Sequence, residues 1–384
     1  MAGLICTVHP GAEGVRAAVE RVRAVLDGTD SVALVHTTGG EGIGDELPAQ
    51  PSIILATSGS TGVARGVEID RDALLASATL ADEVLGGPGL WLTAIPVTGA
   101  GGMNTLVRSL RHGHAPVVWE GVAGAGHFDG ASVLPALREL RQRADAAGLR
   151  AYTALVPTQV ARLLSFAGAD DRDSVEALHE LARLDAVLIG ADALSDEHRL
   201  ALRGYGVHFV TTYGATETCG GCIYDDRPFP GTTVSFEGED PGRIVITGPT
   251  VAHRYRDDDP DLADRRWRSN DLGRWRLGRL EVVGRLDEVV KVGGANVALP
   301  LIAAAIRTLA DVTEVAVLSR PDSEWGHVPV AFVVGGTTPD ASLRQFAASA
   351  LGRGSMPLDI VRLEHLPLLP NGKPDRQRLL GMVR

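Results

Sequence analysis

Short apolar segments alternate with helical patterns between residues 89 and 215, and this alternation limits the possible folds more than any other feature of the sequence. The apolar segments have the length of buried strands, and the stretches between them repeat apolar residues at helical spacing. The strand patterns are GLWLTAIPV, HAPVVW, AYTALVP, LDAVLIG and HFVTTYG. One helical pattern begins after Gly101, and two more are SVLPALRELRQRADAAG and TQVARLLSF. Strands that alternate with helices are typical of an α/β domain with a mainly parallel sheet. The sequence therefore predicts such a domain.

The pattern changes at about residue 231, where short strands and turns replace the alternation. We expect a β-rich subdomain over about 231–285. The charged, glycine-rich segment GRLDEVVKVGGANV then suggests a domain boundary, and the helix and strand patterns beyond it predict a small α+β domain. Because 384 residues exceed the usual size of one hydrophobic core, we predict a large domain over 1–285 and a small one over 286–384.

The composition narrows the range of partners. The formal net charge is −11, and no basic cluster is interleaved with aromatic residues, which argues against a nucleic-acid groove. The N-terminus lacks a leader pattern and no apolar run approaches membrane-spanning length, so we expect a cytoplasmic protein that binds no membrane. Of the three cysteines, Cys219 and Cys222 have the spacing of a zinc or redox pair. No second pair supplies further zinc ligands, and the alternative is two small residues in a turn.

The stretch TSGSTGVARG, from Thr57 to Gly66, is rich in glycine and hydroxyl groups. Exposed backbone N–H groups and short donors can enclose an anion, so the stretch is interpreted as a phosphate loop, with a solvated turn as the alternative. It does not fit G-x-x-x-x-G-K-[ST], because Ala64 stands where that motif needs glycine and no Lys-Ser or Lys-Thr pair follows. A strand pattern, VEID, comes next. We therefore predict that the loop links two strands and that Asp70 caps the helix after the second.

Further polar residues follow predicted strands in LIGADALS and VTTYGATETCGG. Functional loops of parallel sheets lie at the carboxyl ends of the strands. Tyr213 offers a flat face for a base, Thr216 a donor for phosphate, and Glu217 an oxygen ligand for Mg2+. A solvated loop carboxylate is the alternative interpretation of Glu217.

Five motifs occur in order between Thr57 and Arg376: TSGSTGVARG, TYGATE, WRSNDLG, GRLDEVVKVGG and LPLLPNGKPDR. In this order they resemble the core motifs of the adenylate-forming superfamily, which comprises acyl-CoA synthetases, adenylation domains and luciferases. Within that superfamily, YTALVPTQ and TYGATETCGGCIYD look most like the o-succinylbenzoate:CoA ligases of menaquinone biosynthesis. The resemblance implies an adenylation domain over 1–285 that binds ATP and the acid, and a mobile C-terminal domain over 286–384.

The resemblance also implies roles for individual residues. The phosphates of ATP would be held by Thr57, Ser58, Gly59, Ser60, Thr61, Gly62, Arg65 and Gly66. Adenine would lie between Gly190, Ala191, Tyr213 and Gly214, with Thr216 at the α-phosphate and Glu217 binding Mg2+. Asp271 would bind the ribose, and Arg285 would support that contact or the phosphate. Asp287 would be the hinge, Gly293 and Gly294 would border the CoA channel, and Lys373 would be the catalytic lysine of adenylation.

Two departures from the family pattern concern the site. The loop commonly reads T-G-x-P-K-G, and Ala64 and Arg65 replace its proline and lysine here; we expect Arg65 to keep a grip on phosphate with altered geometry. Small residues in TGAGG, from Thr98, replace a bulky aromatic residue or histidine and open the wall of the acid pocket. The expected pocket residues are Thr98, Val156, Pro157, Thr158, Gly220 and Gly221. No arginine among them would pair with a second carboxylate.

The leading hypothesis is an AMP-forming acid–thiol ligase that uses ATP, Mg2+ and CoA, with o-succinylbenzoate as the best single acid. The alternative is a stand-alone adenylation enzyme for another aryl or amino acid, which would deliver it to a carrier protein or an amine. A non-catalytic nucleotide-binding regulator would lack Glu217 or Lys373, and both are present. The absence of a G-x-G-x-x-G between a strand and a helix argues against an ordinary Rossmann dehydrogenase. A homodimer is the default expectation.

Overall fold

The computed structural model describes residues 4–36, 43–44, 46–58, 64–238, 240–309, 311–351, 356–367 and 374–383. The chain divides into two compact units. Unit 1 comprises Met1–Ser235 and Val245–Arg268, and unit 2 comprises Phe236–Ile244 and Ser269–Arg384.

The first sheet of unit 1 contains the strands that flank the glycine-rich loop. Its first elements are β1 (Ile5–Val8), α1 (Ala12–Leu26), β2 (Val32–His36), β3 (Ser52–Ser58), β4 (Ala64–Asp70) and α2 (Arg71–Leu85). The first three strands are parallel, and β4 returns antiparallel to β3 with Ser58 opposite Ala64. The prediction that the loop links two strands is confirmed. Asp70 also caps α2 as predicted, because its carboxylate accepts from Ala73 N at 3.1 Å.

The second sheet of unit 1 is the predicted mainly parallel sheet. Its region comprises β5 (Gly89–Thr93), α3 (Ala100–Arg111), β6 (Val117–Val118), α4 (Gly130–Ala147), β7 (Arg150–Leu155), α5 (Pro157–Gly168), α6 (Arg172–Ala182), β8 (Ala186–Ile189), α7 (Asp196–Gly204), β9 (Phe209–Ala215), β10 (Gly220–Tyr224) and β11 (Arg227–Pro228). The strand order is β11-β10-β9-β8-β7-β5-β6. All pairs from β6 to β9 are parallel, and β10 and β11 are antiparallel. The α/β prediction is confirmed; α6 and α7 were not predicted.

This sheet is buried deeply enough to hold a rigid site. Every residue of β5 and β8 is buried, as expected for parallel strands covered by helices on both faces. Trp91 and Tyr152 pack with ring centroids 5.0 Å apart. The carboxyl ends of the five parallel strands therefore meet at one well-supported edge.

Short strands follow, as the sequence pattern predicts. They are β12 (Thr233–Glu237), β13 (Gly242–Thr247), β14 (Arg254–Tyr255), β15 (Leu262–Ala263), β16 (Arg266–Arg276) and β17 (Arg279–Arg285). In unit 1, β14 pairs with β4, and β15 pairs with the start of β16. In unit 2, the remainder of β16 pairs antiparallel with β17. The strands β12, β13 and β16 each pass from one unit into the other.

The remainder of unit 2 is an α+β arrangement, as predicted. Its elements are β18 (Val289–Val292), β19 (Ala295–Ala298), α8 (Leu299–Arg307), β20 (Val312–Asp322), β21 (Gly326–Gly335), α9 (Asp340–Ala350), β22 (Asp359–Leu363) and α10 (Arg376–Gly381). The sheet order is β19-β18-β21-β20, with β22 parallel to β21. Ile302 of α8 and Leu343 of α9 pack into one core with Val333 of β21. No helix in the described part of the chain has the length and apolar character needed to cross a membrane.

Candidate active site

A cavity of about 460 Å³ lies in unit 1 where the carboxyl ends of β7, β8 and β9 meet the start of α3. Eight residues proposed from sequence line it: Thr98, Val156, Gly190, Ala191, Gly214, Thr216, Gly220 and Gly221. The structure thus brings together residues that are assigned to the acid and residues that are assigned to the nucleotide. Pro157 and Thr158 do not line this cavity; they form the first turn of α5 beside it.

Two glycines keep this cavity open. A Cβ on Gly190 would lie 2.3 Å from Thr212 Oγ1, and a Cβ on Gly220 would lie 2.6 Å from Asn104 Nδ2. Gly220 also has φ +83°, in the region that favours glycine. Larger residues at either position would force the neighbouring polar side chains to move.

Arg108 of α3 lines the cavity and is 3% exposed, yet the sequence patterns did not identify it. Its Nη2 donates to Tyr224 Oη at 3.0 Å, and its guanidinium lies 4.8 Å from the centre of the Trp91 ring. Its Nε finds no hydrogen-bond acceptor among the described residues, and no carboxylate of those residues pairs with it. A buried cation that faces a cavity without an anion is a site for an anionic group of a ligand.

A signal for Arg108 was present in the sequence. Arg108 is the only charged residue of the segment GGMNTLVRSL, and it stands four residues after Asn104, which also lines the cavity. Residues four apart share one face of a helix. An arginine on the inner face of a buried helix could therefore have been proposed as a ligand-binding residue.

Glu217 lies beside this cavity, in the short 3-10 turn Thr216–Thr218 that follows β9. It is 8% exposed, and its Oε1 accepts from Tyr255 Oη at 2.8 Å. Burial, together with the nearby Glu217 carboxylate, raises the pKa of Tyr255, so the phenol remains a hydrogen-bond donor. Tyr213, the proposed adenine contact, is half-buried on β9 opposite Ile223 of β10.

The described part of the glycine-rich loop is its two ends. Thr57 and Arg65 are opposite each other in the β3–β4 pair, and Gly66 lies opposite Ala56. Arg65 is paired with Asp257 and Asp259. The proposed phosphate contacts Gly59, Ser60, Thr61 and Gly62 lie outside the described residues, and of Ser58 only the backbone is described.

The proposed ribose and hinge residues lie together in unit 2. Asp271 of β16 is the register partner of Arg285 of β17. Arg285 Nε and Nη2 donate to the two carboxylate oxygens of Asp287 at 3.0 and 3.3 Å. These three residues therefore form one charged group at the end of the β16–β17 hairpin.

The proposed acceptor-channel glycines form the turn between β18 and β19, with φ +57° at Gly293 and +84° at Gly294. A Cβ on Gly293 would lie 2.9 Å from the Trp325 ring. The proposed catalytic lysine, Lys373, lies outside the described residues.

The residues present fit a magnesium ion that also binds phosphate. Mg2+ keeps several waters and binds one or two carboxylates together with substrate phosphates. Glu217 supplies one such carboxylate, while the described ranges hold no group of three or more histidine, cysteine, aspartate or glutamate residues able to form an all-protein metal site. Cys219 and Cys222 are fully buried, and burial raises the pKa of their thiols to about 12 and about 11. Neutral thiols are weak metal ligands.

Comparison with known proteins matches both ends of the chain to models of one enzyme family. Residues 12–256 match the family model for AMP-binding enzymes, and residues 301–373 match that for the AMP-binding enzyme C-terminal domain. A probable 2-succinylbenzoate–CoA ligase of Mycobacterium tuberculosis is 34% identical over 375 residues, which cover 94% of this chain and 93% of that protein.

Solved structures share the fold. An o-succinylbenzoate CoA synthetase from Bacillus subtilis, in complex with its acyl-adenylate intermediate, aligns with a TM-score of 0.67 at 18% identity, over 98% of this chain and 88% of the other. A second structure of that enzyme, in complex with ATP and a magnesium ion, aligns with a TM-score of 0.64 at 17% identity, over 99% of this chain and 89% of the other.

Proposed function

Because the chain belongs to the AMP-binding enzyme family, we propose that it is an AMP-forming acid–thiol ligase that converts o-succinylbenzoate to o-succinylbenzoyl-CoA. The M. tuberculosis relative carries this activity in its name. The observation that supports this acid is Arg108, a buried arginine without an anionic partner among the described residues, which faces the cavity. O-succinylbenzoate has two carboxylates. One is activated, and the other would pair with Arg108.

The rest of the cavity suits an aromatic ring. Its lining is mostly apolar or glycine, including Ile95, Pro96, Ala154 and Leu188, and few polar groups face it. Such pockets orient a ligand by a small number of well-placed polar contacts. An acid with a ring and a second carboxylate would therefore place its ring on the apolar wall and its second carboxylate at Arg108.

The first step joins a carboxylate oxygen of the acid to the α-phosphorus of ATP, and the bond to pyrophosphate breaks. Both reactants are anionic, so the site must neutralise charge as the new bond forms. Bound Mg2+ supplies part of that neutralisation, and Glu217 would hold it. Thr216, which lines the cavity, would donate to the α-phosphate, and Lys373 would supply a further positive charge. In the second step the sulfur of CoA attacks the acyl carbonyl, the thiol proton is lost, and AMP leaves.

The remaining sequence-based assignments stay part of this proposal. Thr57 to Gly62 and Gly66 would hold the β- and γ-phosphates, Asp271 and Arg285 the ribose, and Gly293 and Gly294 the arm of CoA. We likewise propose the domain boundary at 285/286, with Asp287 as the hinge. A cytoplasmic location and a homodimer remain predictions.

The test is pyrophosphate release from ATP and Mg2+, measured with and without CoA. The two acids compared are o-succinylbenzoate and benzoylpropionate, which is the same acid without the carboxylate on its ring. We expect sustained turnover of o-succinylbenzoate only when CoA is present, and much lower kcat/KM for benzoylpropionate. Preference for benzoylpropionate or another monocarboxylic acid, or a single burst that CoA does not extend, would favour the stand-alone adenylation enzyme that serves a carrier protein or an amine.

A further inference from the structure

We propose that Tyr255 and Arg65 are positioning residues for the carboxylate of Glu217. In this arrangement Arg65 fixes the ring of Tyr255, and Tyr255 orients the carboxylate, so Arg65 acts on the metal ligand and not on the phosphates. This inference rests on the proposed role of Glu217 as the magnesium ligand.

The direction of the hydrogen bond between Tyr255 and Glu217 is fixed by a third residue. Trp267 Nε1 lies 3.2 Å from Tyr255 Oη, and an indole N–H can only donate. The Tyr255 hydroxyl therefore accepts from Trp267 and directs its single proton to Glu217 Oε1, 2.8 Å away. Tyr255 is 5% exposed, so water does not replace either partner. The Tyr255 hydroxyl therefore holds the Glu217 carboxylate with a hydrogen bond whose direction is fixed.

Arg65 covers the ring of Tyr255. The centre of its guanidinium lies 3.9 Å from the ring centroid, within the range of a cation–π contact. Its Nε and Nη2 donate to the two oxygens of Asp257, each at 2.9 Å, and Nη2 lies 2.8 Å from Asp259 Oδ2. Its contacts to carboxylates and to the ring thus account for the orientation of the whole guanidinium.

This geometry suits the arginine that stands where the family pattern commonly has a lysine. A planar guanidinium can bind one carboxylate through two parallel hydrogen bonds, reach a second carboxylate and stack on a ring at the same time. A lysine ammonium is a point charge and cannot make the paired contact to Asp257. The three groups that meet Arg65 are therefore matched to arginine.

Backbone hydrogen bonds join the segments that carry these side chains. Arg256 N donates to Gly66 O at 2.8 Å, next to Arg65, and Ala252 N donates to Glu217 O at 2.8 Å. Tyr255 itself is the register partner of Val67 on β4. The end of the glycine-rich loop, β14 and the Glu217 turn are thus connected through backbone as well as side chains.

The experiment compares the wild type with Tyr255→Phe and Arg65→Lys. Manganese replaces magnesium because its binding is observed directly by electron paramagnetic resonance, with ATP present and no acid. Outer contacts to metal ligands typically change metal affinity by about 10- to 100-fold. We expect Tyr255→Phe to weaken Mn2+ binding about tenfold and Arg65→Lys to weaken it about threefold. We expect ATP affinity in the presence of a chelator to be unchanged in both variants.

Tyr152→Phe is the matched control, because Tyr152 is also buried and its hydroxyl contacts only the carbonyls of Leu85 and Gly87 in the described structure. It should bind Mn2+ as the wild type does. Wild-type Mn2+ affinity in Tyr255→Phe would overturn the proposal. Weaker metal-free ATP binding in Arg65→Lys, with unchanged Mn2+ binding, would overturn the part that concerns Arg65. A wild type that binds no Mn2+ with ATP, yet turns over acid, would overturn the metal role of Glu217 and this inference with it.

Discussion

At the scale of single residues, the charge of Arg108 makes the substrate proposal testable. We predict that Arg108→Met lowers kcat/KM for o-succinylbenzoate by about 100-fold or more, because a carboxylate in the cavity would lose a charged hydrogen-bond partner. The kcat/KM for benzoylpropionate should change only a few-fold. The unliganded variant should unfold at an equal or higher urea concentration, since an apolar side chain replaces a buried charge that no described carboxylate compensates.

Arg111→Met serves as the control for Arg108→Met. Arg111 lies one turn further along α3, pairs with Asp82 at 3.3 Å and does not line the cavity. The Arg111→Met variant should leave the ratio of the kcat/KM values for the two acids unchanged. If Arg108→Met lowered kcat/KM equally for both acids, Arg108 would support the cavity wall and would not bind the second carboxylate.

The site was predictable from sequence only where its residues belong to one local motif. Thr216 and Glu217 follow a recognisable strand, and the structure places Thr216 at the cavity and Glu217 beside it. The partners that shape the site are remote in sequence. Arg65 and Asp257 are 192 positions apart, and Arg108 and Tyr224 are 116 apart. Nothing in a local pattern indicates which of 37 lysines and arginines meets which carboxylate.

At the scale of elements, the start of α2 combines a helix cap with an ion pair. Asp70 accepts from Ala73 N, and Arg265 Nη1 and Nη2 donate to its two oxygens at 2.6 and 2.8 Å. Burial acts to raise the pKa of Asp70, but the hydrogen bonds from Arg265 and Ala73 outweigh it and lower the pKa. The cap thereby also ties β15–β16 to the end of β4.

We predict that Asp70→Asn destabilises the protein by about 2–3 kcal/mol at neutral pH, because asparagine keeps the cap but leaves Arg265 without its buried partner. A depressed pKa stabilises the fold at pH values above the unfolded-state value, about 4, and the effect is lost as the pH falls through the folded-state value. The difference between variant and wild type in urea unfolding should therefore be constant from about pH 7 to 5 and shrink below about pH 4.

Asp72→Asn is the matched control, since Asp72 is exposed in the same first turn. Asp72→Asn should lower the free energy of unfolding by only a few tenths of a kcal/mol, roughly the contribution of a charge near a helix N-terminus. A pH-independent difference for Asp70→Asn would mean that the loss comes from packing and not from the charge.

Elements with long apolar runs or many apolar residues were predictable, and short, mostly polar helices were not. The helix pattern after Asp70 coincides with α2, and the buried strands β7 and β8 follow from apolar runs. In α7 the only buried residue is Leu202, and the nine-residue segment is mostly polar, so it offers few apolar residues to detect. HAPVVW suggested a full strand, but only Val117–Val118 pair, with β5.

At the scale of the whole molecule, compactness and sequence divide the chain at different places. Unit 2 includes 236–244 and 269–285, which the sequence pattern groups with the large domain. Contiguous stretches of sequence cannot reveal this grouping, because β12, β13 and β16 each belong to both units. The proposed boundary at 285/286 is a statement about movement during the reaction, and it needs a kinetic test.

Lys373→Ala provides that test, because the proposed catalytic lysine should act in only one half-reaction. We predict that it lowers pyrophosphate release from ATP and acid by about 100-fold or more, the scale of losing one group that stabilises transition-state charge. Thioester formation from supplied acyl adenylate and CoA should stay within a few-fold of wild type. Lys291, the other lysine of the chain, gives the control: Lys291→Ala should retain pyrophosphate release. Loss of both half-reactions in Lys373→Ala would imply one fixed arrangement of the small domain, because a residue that leaves before CoA attacks cannot be needed for that attack.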